Sequence, residues 1–178
     1  MTEIETVSSA VVYQNKWMTV REDQIRRADG SAGLYGVISK PDFALVIPWY
    51  DGGFQLVEQY RYPIGERLWE FPQGSWSDAP EADPVELARG ELSEETGLIA
   101  GSMQELAYIY ASYGYSSQGC HVMLATDLAP GPTKLDAEEA GLISRWFSVE
   151  DTWQLIADGR LRDAPSIAAL GLFTRSQA

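Results

Sequence analysis

The sequence predicts an α+β domain, in which helices pack on a mixed β-sheet. Three observations support this prediction. Alternating apolar and polar residues dominate the N-terminal half, where turn signals divide them into short strands. One well-bounded helix pattern follows near the middle, and two shorter helix patterns lie near the C-terminus. The length of 178 residues, 45% of them hydrophobic, fits one domain with a sizeable core.

The N-terminal half is predicted as strands joined by turns. A two-stranded hairpin occupies residues 11–25 and turns near residues 14–16, and ADGSAG at residues 28–33 forms the next turn. Asp51, Gly52 and Gly53 are a hairpin signal between two of the strands that follow. These further strands are predicted at residues 34–39, 43–50 and 54–60.

Strands also follow the central helix. They are predicted at residues 105–111, 121–125 and 143–148, with a loop rich in Pro and Gly at residues 129–133. Two short helices are predicted at residues 149–158 and 164–173.

The central helix has clear predicted boundaries. Asp83 is a good N-cap, Pro84 suits the first helical position, and Glu86 follows the cap by three residues, as in a capping box. Gly97 supplies the left-handed residue that ends many helices. One apolar face is predicted to pack on the core, and it consists of Val85, Ala88 and Leu92.

Three glutamates share another face of this helix. Glu94 and Glu95 follow Glu91 by three and four residues, so the three side chains project into a common volume, with about 5–6 Å between Cβ atoms. Their charges repel one another, and the helix dipole disfavours anions near its C-terminal end. A divalent cation such as Mg²⁺ would compensate. We therefore expect the glutamates to face outward, toward a cleft, and to bind metal; the alternative is a merely solvated acidic helix.

These residues resemble the Nudix box. The sequence ELSEETGL at residues 91–98 matches the C-terminal half of that motif, and LWEFPQG at residues 68–74 is similar to the strand and loop before it. The resemblance implies a Nudix-type α/β/α sandwich with a mixed β-sheet. It also implies a bound Mg²⁺, with Mn²⁺ as a substitute, and a set of metal ligands: Glu91, Glu94, Glu95 and the main-chain carbonyl of Gln73.

The motif departs from the box in two places. Gly90 occupies the position of an arginine that orients a metal-binding carboxylate, and Arg89 lies about 100° away around the helix. Because a glycine inside a helix costs about 1 kcal/mol relative to alanine, we expect something to pack closely against Gly90. If Gly74 is the box glycine, the loop has two extra residues and Glu81 replaces the first box glutamate.

Further segments resemble one branch of the family, the pyrophosphatases of ADP-ribose and of nucleoside diphosphate sugars. They are QYR at residues 59–61 and RLWEFP at residues 67–72. Residues 1–40 are similar to the N-terminal antiparallel β subdomain through which that branch dimerises, and residues 41–178 would then form the hydrolase domain. The resemblance therefore implies a homodimer.

Four residues outside the helix are implied to bind substrate. Arg61 would contact the diphosphate or its ribose, since a guanidinium donates two parallel hydrogen bonds, and Glu70 would hold a substrate hydroxyl or an arginine. Trp17 would stack on adenine, with Tyr35 of the partner subunit as the other wall. The alternatives are surface ion pairs for Arg61 and Arg67, and packing in the core or an interface for Trp17.

The general base is implied to lie on a loop nearer the C-terminus. In DAEEAGL at residues 136–142, Glu139 aligns best with that base and Glu138 is the reserve. A carboxylate is a sufficient base because a water held between metal ions is already acidified. The alternative is that both glutamates are solvated loop residues.

Charge and composition indicate which classes of binding partner to expect. A net charge of −13 repels nucleic acid, so we expect no nucleic-acid partner. The chain has neither a long apolar run nor a charged-then-apolar leader, which predicts no membrane partner and a cytoplasmic location. Cys120 is the only cysteine, so no intrachain disulfide is expected.

The preferred hypothesis is a magnesium-dependent hydrolase that splits the pyrophosphate of a nucleoside diphosphate linked to a sugar, similar to ADP-ribose. The products would be a nucleoside monophosphate and a sugar phosphate. FPQG at residues 71–74 is also similar to Nudix enzymes that act on dinucleoside polyphosphates or RNA 5′ ends, which is a second reading. A third is a degenerate Nudix sensor that binds a nucleotide without catalysis, as Gly90 would suggest.

Overall fold

The computed structural model describes residues 3–76, 79, 81–131 and 141–177. These residues form two β-sheets and three helices. Within this part of the chain, no helix is both long and apolar enough to cross a membrane. The first sheet is antiparallel and contains, in spatial order, β1 (Ile4–Gln14), β2 (Thr19–Arg27) and β3 (Ala32–Ser39).

The second sheet is mixed and has seven strands in the described chain. They are β4 (Phe43–Tyr50), β5 (Gly53–Arg61), β6 (Glu66–Glu70), β7 (Gln73–Gly74), β8 (Leu98–Tyr110), β9 (Gly119–Pro130) and β10 (Ile143–Ser148). The main path runs β10, β5, β4, β9, β8, while β6 pairs with β5 and β7 pairs with β4. β4 and β9 are parallel, and this pairing brings the N-terminal ends of both strands to one edge.

Helices cover both faces of the second sheet. They are α1 (Pro84–Thr96), α2 (Val149–Ala157) and α3 (Ala164–Ser176). Because side chains alternate along a strand, Leu45 and Ile47 of β4 join an apolar cluster with α2 and α3, while Ala44 and Val46 join a second cluster with α1. The predicted α+β fold with α/β/α layers is therefore confirmed.

Most predicted elements are present, and β4 and β10 have the predicted bounds. The prediction was wrong around the loop at residues 129–133. β8 begins at Leu98, directly after α1, and pairs with a β9 that extends to Pro130, so Ala129 and Pro130 lie in a strand. At its outer end this pairing joins Leu98 to Pro130, which is distant in sequence, and a bulge between Glu105 and Ala107 interrupts the alternation of apolar and polar residues from which strands are predicted. Residues 132–133 of the predicted loop lie outside the described part.

The first sheet is tied to the second by main-chain and side-chain hydrogen bonds. The N–H of Ile38 donates to the Tyr115 carbonyl at 2.8 Å, and the Tyr35 hydroxyl donates to the Gly114 carbonyl at 2.9 Å. These bonds connect β3 to the segment between β8 and β9. The division into a dimerising subdomain over residues 1–40 and a hydrolase domain over residues 41–178 stays a prediction.

Candidate active site

Helix α1 begins and ends where the sequence predicted. The Asp83 carboxylate accepts hydrogen bonds from the N–H groups of Val85 at 2.8 Å and Glu86 at 3.4 Å. Gly97 has a left-handed φ of 69° and its N–H donates to the Ser93 carbonyl. With both ends fixed in this way, the rotation of the helix about its axis determines which glutamates face the sheet.

Glu91 and Glu95 lie inside the protein. Their exposed fractions are 4% and 2%, whereas Glu94 is half-buried. The expectation that all three face outward is therefore wrong for Glu91 and Glu95, and so is the alternative of a merely solvated helix. Burying a carboxylate is costly unless it is hydrogen-bonded, paired with a cation or bound to metal. Each of these two carboxylates therefore requires such an interaction.

The main chain of β7 lies directly against the two buried carboxylates, which explains their burial. The N–H of Gln73 donates to Oε2 of Glu95 at 3.1 Å. Gly74 approaches Glu91 so closely that a Cβ atom at Gly74 would lie 2.5 Å from Oε2 of Glu91. A side chain at this position would force the Glu91 carboxylate to shift, which supports Gly74 as the glycine of the box.

The described residues offer two buried carboxylates and a main-chain segment, rather than a closed ring of acidic side chains. Among the residues that the structure describes, no group of three or more His, Cys, Asp and Glu side chains is placed to hold a metal ion. Mg²⁺ usually takes one or two protein carboxylates and completes its octahedron with water and substrate phosphates. The oxygen donors of Glu91 and Glu95 fit such an ion, while the roles of Glu94 and the Gln73 carbonyl stay predictions.

Asp163 also contacts the β7 segment, and the sequence analysis missed it. This residue is the N-cap of α3, and its Oδ2 accepts hydrogen bonds from Nε2 of Gln73 at 3.1 Å and from the N–H of Ser166 at 2.9 Å. The Asp-Ala-Pro-Ser pattern is a recognisable N-terminal helix signal and could have identified the cap. Its link to Gln73, 90 residues away, leaves no signal in the local sequence.

Arg61 and Glu70 form an ion pair between β5 and β6. Glu70 is 2% exposed and accepts a hydrogen bond from Nε2 of Gln59 at 2.9 Å, and others from Nε of Arg61 at 3.2 Å and from Nη2 of Arg61. Burial raises the pKa of the Glu70 carboxyl, and the positive charge of Arg61 opposes that rise. Glu70 thus holds an arginine of its own chain, and the Arg61 side chain stays 41% exposed.

The prediction that something packs closely against Gly90 is confirmed. A Cβ atom there would lie 2.4 Å from Cζ2 of Trp76. Arg89, the neighbour of the missing box arginine, donates a hydrogen bond from Nη1 to the Ala100 carbonyl, so its guanidinium is engaged at β8. Glu81 is exposed in a turn, and its role as a replacement for the first box glutamate stays a prediction.

Trp17 and Tyr35 both belong to the first sheet or its turns. Trp17 follows Asn15, whose Oδ1 accepts a hydrogen bond from the Trp17 N–H at 2.9 Å, and the Trp17 side chain is 45% exposed beneath Nζ of Lys16. Tyr35 is 41% exposed. Packing of Trp17 in the core is therefore wrong, whereas stacking on a base and packing in an interface both stay predictions.

The two candidates for the general base, Glu138 and Glu139, lie outside the described residues. Beyond them, the carbonyl of Gly141 accepts a hydrogen bond from Nη2 of Arg67 at 2.7 Å. Arg67 also donates from Nε to Glu58 at 3.0 Å. The ion-pair alternative is therefore correct for Arg67.

Comparison with known proteins places this geometry in a family. Residues 40–170, which include β4 to β10 and α1, match the family model of the NUDIX domain. The chain belongs to the Nudix family. Residues 4–38 match the model of the nucleoside diphosphate sugar hydrolase N-terminal domain, so this Nudix protein carries an N-terminal extension of that type.

Sequence matches to two relatives cover nearly the whole Nudix protein. An ADP-ribose pyrophosphatase from Mycobacterium tuberculosis is 30% identical over 170 residues, which are 94% of this chain and 82% of the relative. An ADP-ribose pyrophosphatase from Bacillus subtilis is 25% identical over 170 residues, or 94% of this chain and 91% of the relative. These matches confirm the prediction of a Nudix pyrophosphohydrolase, a class that generally uses a divalent metal ion.

The fold has a close counterpart among solved structures. A crystal structure described as an ADP compounds hydrolase superposes with a TM-score of 0.87 at 20% sequence identity. The superposition covers 98% of this chain and 94% of the other. This similarity confirms the Nudix fold.

Proposed function

We propose that this Nudix enzyme hydrolyses the pyrophosphate bond of a nucleoside diphosphate linked to a sugar, as in ADP-ribose. The products are a nucleoside monophosphate and a sugar phosphate. The observation that carries the proposal is the burial of Glu91 and Glu95 against the main chain of β7. The names of both relatives and the match of residues 4–38 to nucleoside diphosphate sugar hydrolases support this substrate class.

Mg²⁺ is the cation in this proposal, with Mn²⁺ as a substitute. Glu91 and Glu95 would hold it, and Glu94 and the Gln73 carbonyl are the proposed further ligands. When bound, such an ion neutralises diphosphate charge and lowers the pKa of a water molecule. The protein keeps the carboxylates in place. The Gln73 N–H donates a hydrogen bond to Glu95, and Gly74, which has no Cβ atom, leaves room for the Glu91 carboxylate.

Glu139 is the proposed general base, with Glu138 as the alternative. It accepts a proton from the water whose oxygen attacks one phosphorus atom of the diphosphate. The bond from that phosphorus to the bridging oxygen breaks, and the leaving phosphate takes the electron pair. The two products are therefore both phosphate monoesters.

Arg61 is proposed to contact the diphosphate or the ribose attached to it. Two of its nitrogens bind the buried Glu70, which fixes the guanidinium plane before substrate arrives. A group held in advance loses less conformational freedom on binding and positions the substrate more accurately. The exposed part of the Arg61 side chain is available for this contact.

The functional unit in this proposal is a homodimer that forms through the first sheet. β1 is an edge strand of that sheet and is exposed along its whole length, including Val7, Val11 and Val12. Soluble monomers rarely leave a long apolar edge strand uncovered, because it pairs readily with another chain. In the dimer, adenine would stack between Trp17 and Tyr35 of the partner subunit.

Product analysis with and without Mg²⁺ tests the proposal. ADP-ribose, several sugar nucleotides and a dinucleoside polyphosphate are compared, and Glu95→Gln is measured beside Glu86→Gln, the same change at an exposed position of α1. Since even indirect changes at metal sites cost about 10- to 100-fold, we expect Glu95→Gln to lose about 100-fold or more of the turnover and Glu86→Gln to lose little.

Three outcomes would count against the proposal. Undiminished turnover in Glu95→Gln would contradict the metal assignment. Faster turnover of the dinucleoside polyphosphate would favour the second substrate class. Nucleotide binding by the wild type without any magnesium-dependent product would favour a sensor.

A further inference from the structure

The contacts of Asp163 and Ser166 connect the first turn of α3 to the segment that carries Gln73. We propose that Asp163 and Ser166 are positioning residues that hold the segment Phe71 to Gln73, so that the Gln73 carbonyl faces the metal site. This inference rests on the proposed function, because it assumes that a metal ion binds next to Gln73.

Asp163 joins the cap of α3 to the side chain of Gln73 through one oxygen atom. Oδ2 accepts hydrogen bonds from Nε2 of Gln73 at 3.1 Å, from the N–H of Ser166 at 2.9 Å and from Oγ of Ser166 at 2.7 Å. Hydrogen bonds to an ionised carboxylate are about twice as strong as those between neutral groups. The position of Gln73 is therefore coupled to the formation of the first turn of α3.

Ser166 holds the other end of the same segment. Its side chain is fully buried, and Oγ accepts a hydrogen bond from the N–H of Phe71 at 3.0 Å, a residue that is also fully buried. Between the two ends, the Pro72 carbonyl accepts a hydrogen bond from the N–H of Val46 at 2.9 Å. Since proline has no N–H, both N–H donors of the segment are used, the second by Glu95.

Gln73 is thus held from two sides. Its N–H donates to the Glu95 carboxylate of α1, and its side chain donates to the Asp163 carboxylate, which caps α3. Loss of a group that holds a metal ligand in place typically costs about 10- to 100-fold in metal affinity or activity, because such groups fix the direction of the donor atom. Loss of the Asp163 contact would leave the Gln73 main chain held only by Glu95 and by the pairing of β7 with β4, without removing any proposed ligand.

The test compares variants that cut this link with one that only removes a helix cap. Gln73→Ala removes the side-chain donor and keeps the main-chain carbonyl, Asp163→Ala removes the acceptor, and Asp163→Asn retains an oxygen at the same place. Ser148→Ala is the control, because Ser148 caps α2 by accepting a hydrogen bond from the Asp151 N–H at 3.0 Å.

Two quantities are measured for each variant. One is the Mg²⁺ concentration that gives half-maximal hydrolysis of ADP-ribose. The other is the rate at which the main-chain N–H at position 73 exchanges its hydrogen in the metal-free protein, observed by NMR. We expect Asp163→Ala and Gln73→Ala each to raise the half-maximal Mg²⁺ concentration by about 10- to 100-fold and to accelerate Gln73 exchange. Asp163→Asn should recover most of both, and Gln73→Ala/Asp163→Ala should be no worse than Asp163→Ala alone.

The inference would be overturned if Asp163→Ala and Gln73→Ala left both quantities unchanged, or if Ser148→Ala shifted them equally. If Asp163→Ala fails to fold, Gln73→Ala decides the question, because it leaves the cap of α3 intact. Failure of the proposed function has a different signature, namely a wild type without magnesium-dependent hydrolysis. The amide exchange of Gln73 would still test the positioning network in that case.

Discussion

Glu70 is an ionisable side chain in an almost fully buried position. Burial raises its pKa, while the charge of Arg61 and hydrogen bonds from Arg61 and Gln59 stabilise the ionised form. The negative charge of Asp163 adds to the rise. The ionised state of Glu70 therefore depends on Arg61, which makes the pair a structural requirement as well as a candidate substrate contact.

Arg61→Met should destabilise the protein in a pH-dependent way. A carboxyl with a raised pKa contributes most to stability when protonated, and this contribution is lost as the pH rises through its pKa in the folded state. Without Arg61 the pKa of Glu70 rises further, so the loss of stability relative to wild type should be larger at pH 8 than at pH 5. Because Arg61 is partly exposed, we expect a difference of about 1–2 kcal/mol in the free energy of unfolding by urea.

Arg61→Met/Glu70→Gln is the control for this prediction, because it removes the carboxyl whose charge would be left unpaired. The double variant should regain much of the stability at pH 8. An equal loss at both pH values, or a double variant as unstable as Arg61→Met, would show that the pair does not act through the charge of Glu70.

Single residues of the site could be predicted to different degrees. Glu91 and Glu95 were identifiable because a helical repeat brings them to one face. The close packing at Gly90 was predictable because glycine destabilises a helix, so its presence indicates a neighbour that leaves no room for a side chain. Their burial beneath β7 was not predictable, since it depends on where another strand runs. Asp163 was missed for the same reason: its contact with Gln73 exists only in three dimensions.

At the scale of elements, α1 and α3 each contain one glycine in a different environment. Gly90 of α1 lies under the ring of Trp76, whereas an added Cβ at Gly171 of α3 would meet no atom within 4 Å. Neither residue has a positive φ. The comparison therefore separates the cost of close packing from the general cost of glycine in a helix.

The two glycines should respond differently to alanine. Gly171→Ala is expected to raise the free energy of unfolding by up to about 1 kcal/mol, because alanine favours the helix. Gly90→Ala should give no such gain and should lower stability, since Trp76 must move. Urea unfolding of both variants measures the difference, and equal stabilisation at the two positions would contradict the packing explanation.

Elements with strong local signals were predicted accurately. The bounds of α1 followed from Asp83, Pro84 and Gly97, and those of β4 followed from a continuous apolar run. β8 and β9 were predicted too short because their outer halves are stabilised by pairing with each other, over residues 98–105 and 123–130. Propensity within each strand carries little information about such a pairing.

In the whole molecule, the first sheet exposes apolar side chains that the described part of a single chain does not cover. β1 is exposed at every position, and its apolar side chains would be covered if two copies met there. The net charge of −13 opposes association at long range, so apolar contact must supply the attraction between copies. The fold class was predictable from composition and periodicity. The exposure of β1 was not, because it follows from the absence of described residues packed over the side chains of that strand.

Val11→Asp should convert the proposed dimer into a monomer, because it places a charge on the exposed apolar edge. Trp153→Asp is the control, since it makes the same kind of change at an exposed apolar residue of α2. Analytical ultracentrifugation of both variants gives the mass. A wild-type monomer, or dissociation of both variants alike, would contradict a dimer that forms through the first sheet.

Titration with Mn²⁺, followed by electron paramagnetic resonance, measures whether the buried glutamates of α1 hold a divalent cation. We predict at least one Mn²⁺ bound per wild-type chain, an affinity lower by about 100-fold or more in Glu91→Gln, and little change in Glu86→Gln. Equal binding by all three proteins, or none by the wild type in the presence of a nucleotide sugar, would contradict a cation site at these glutamates.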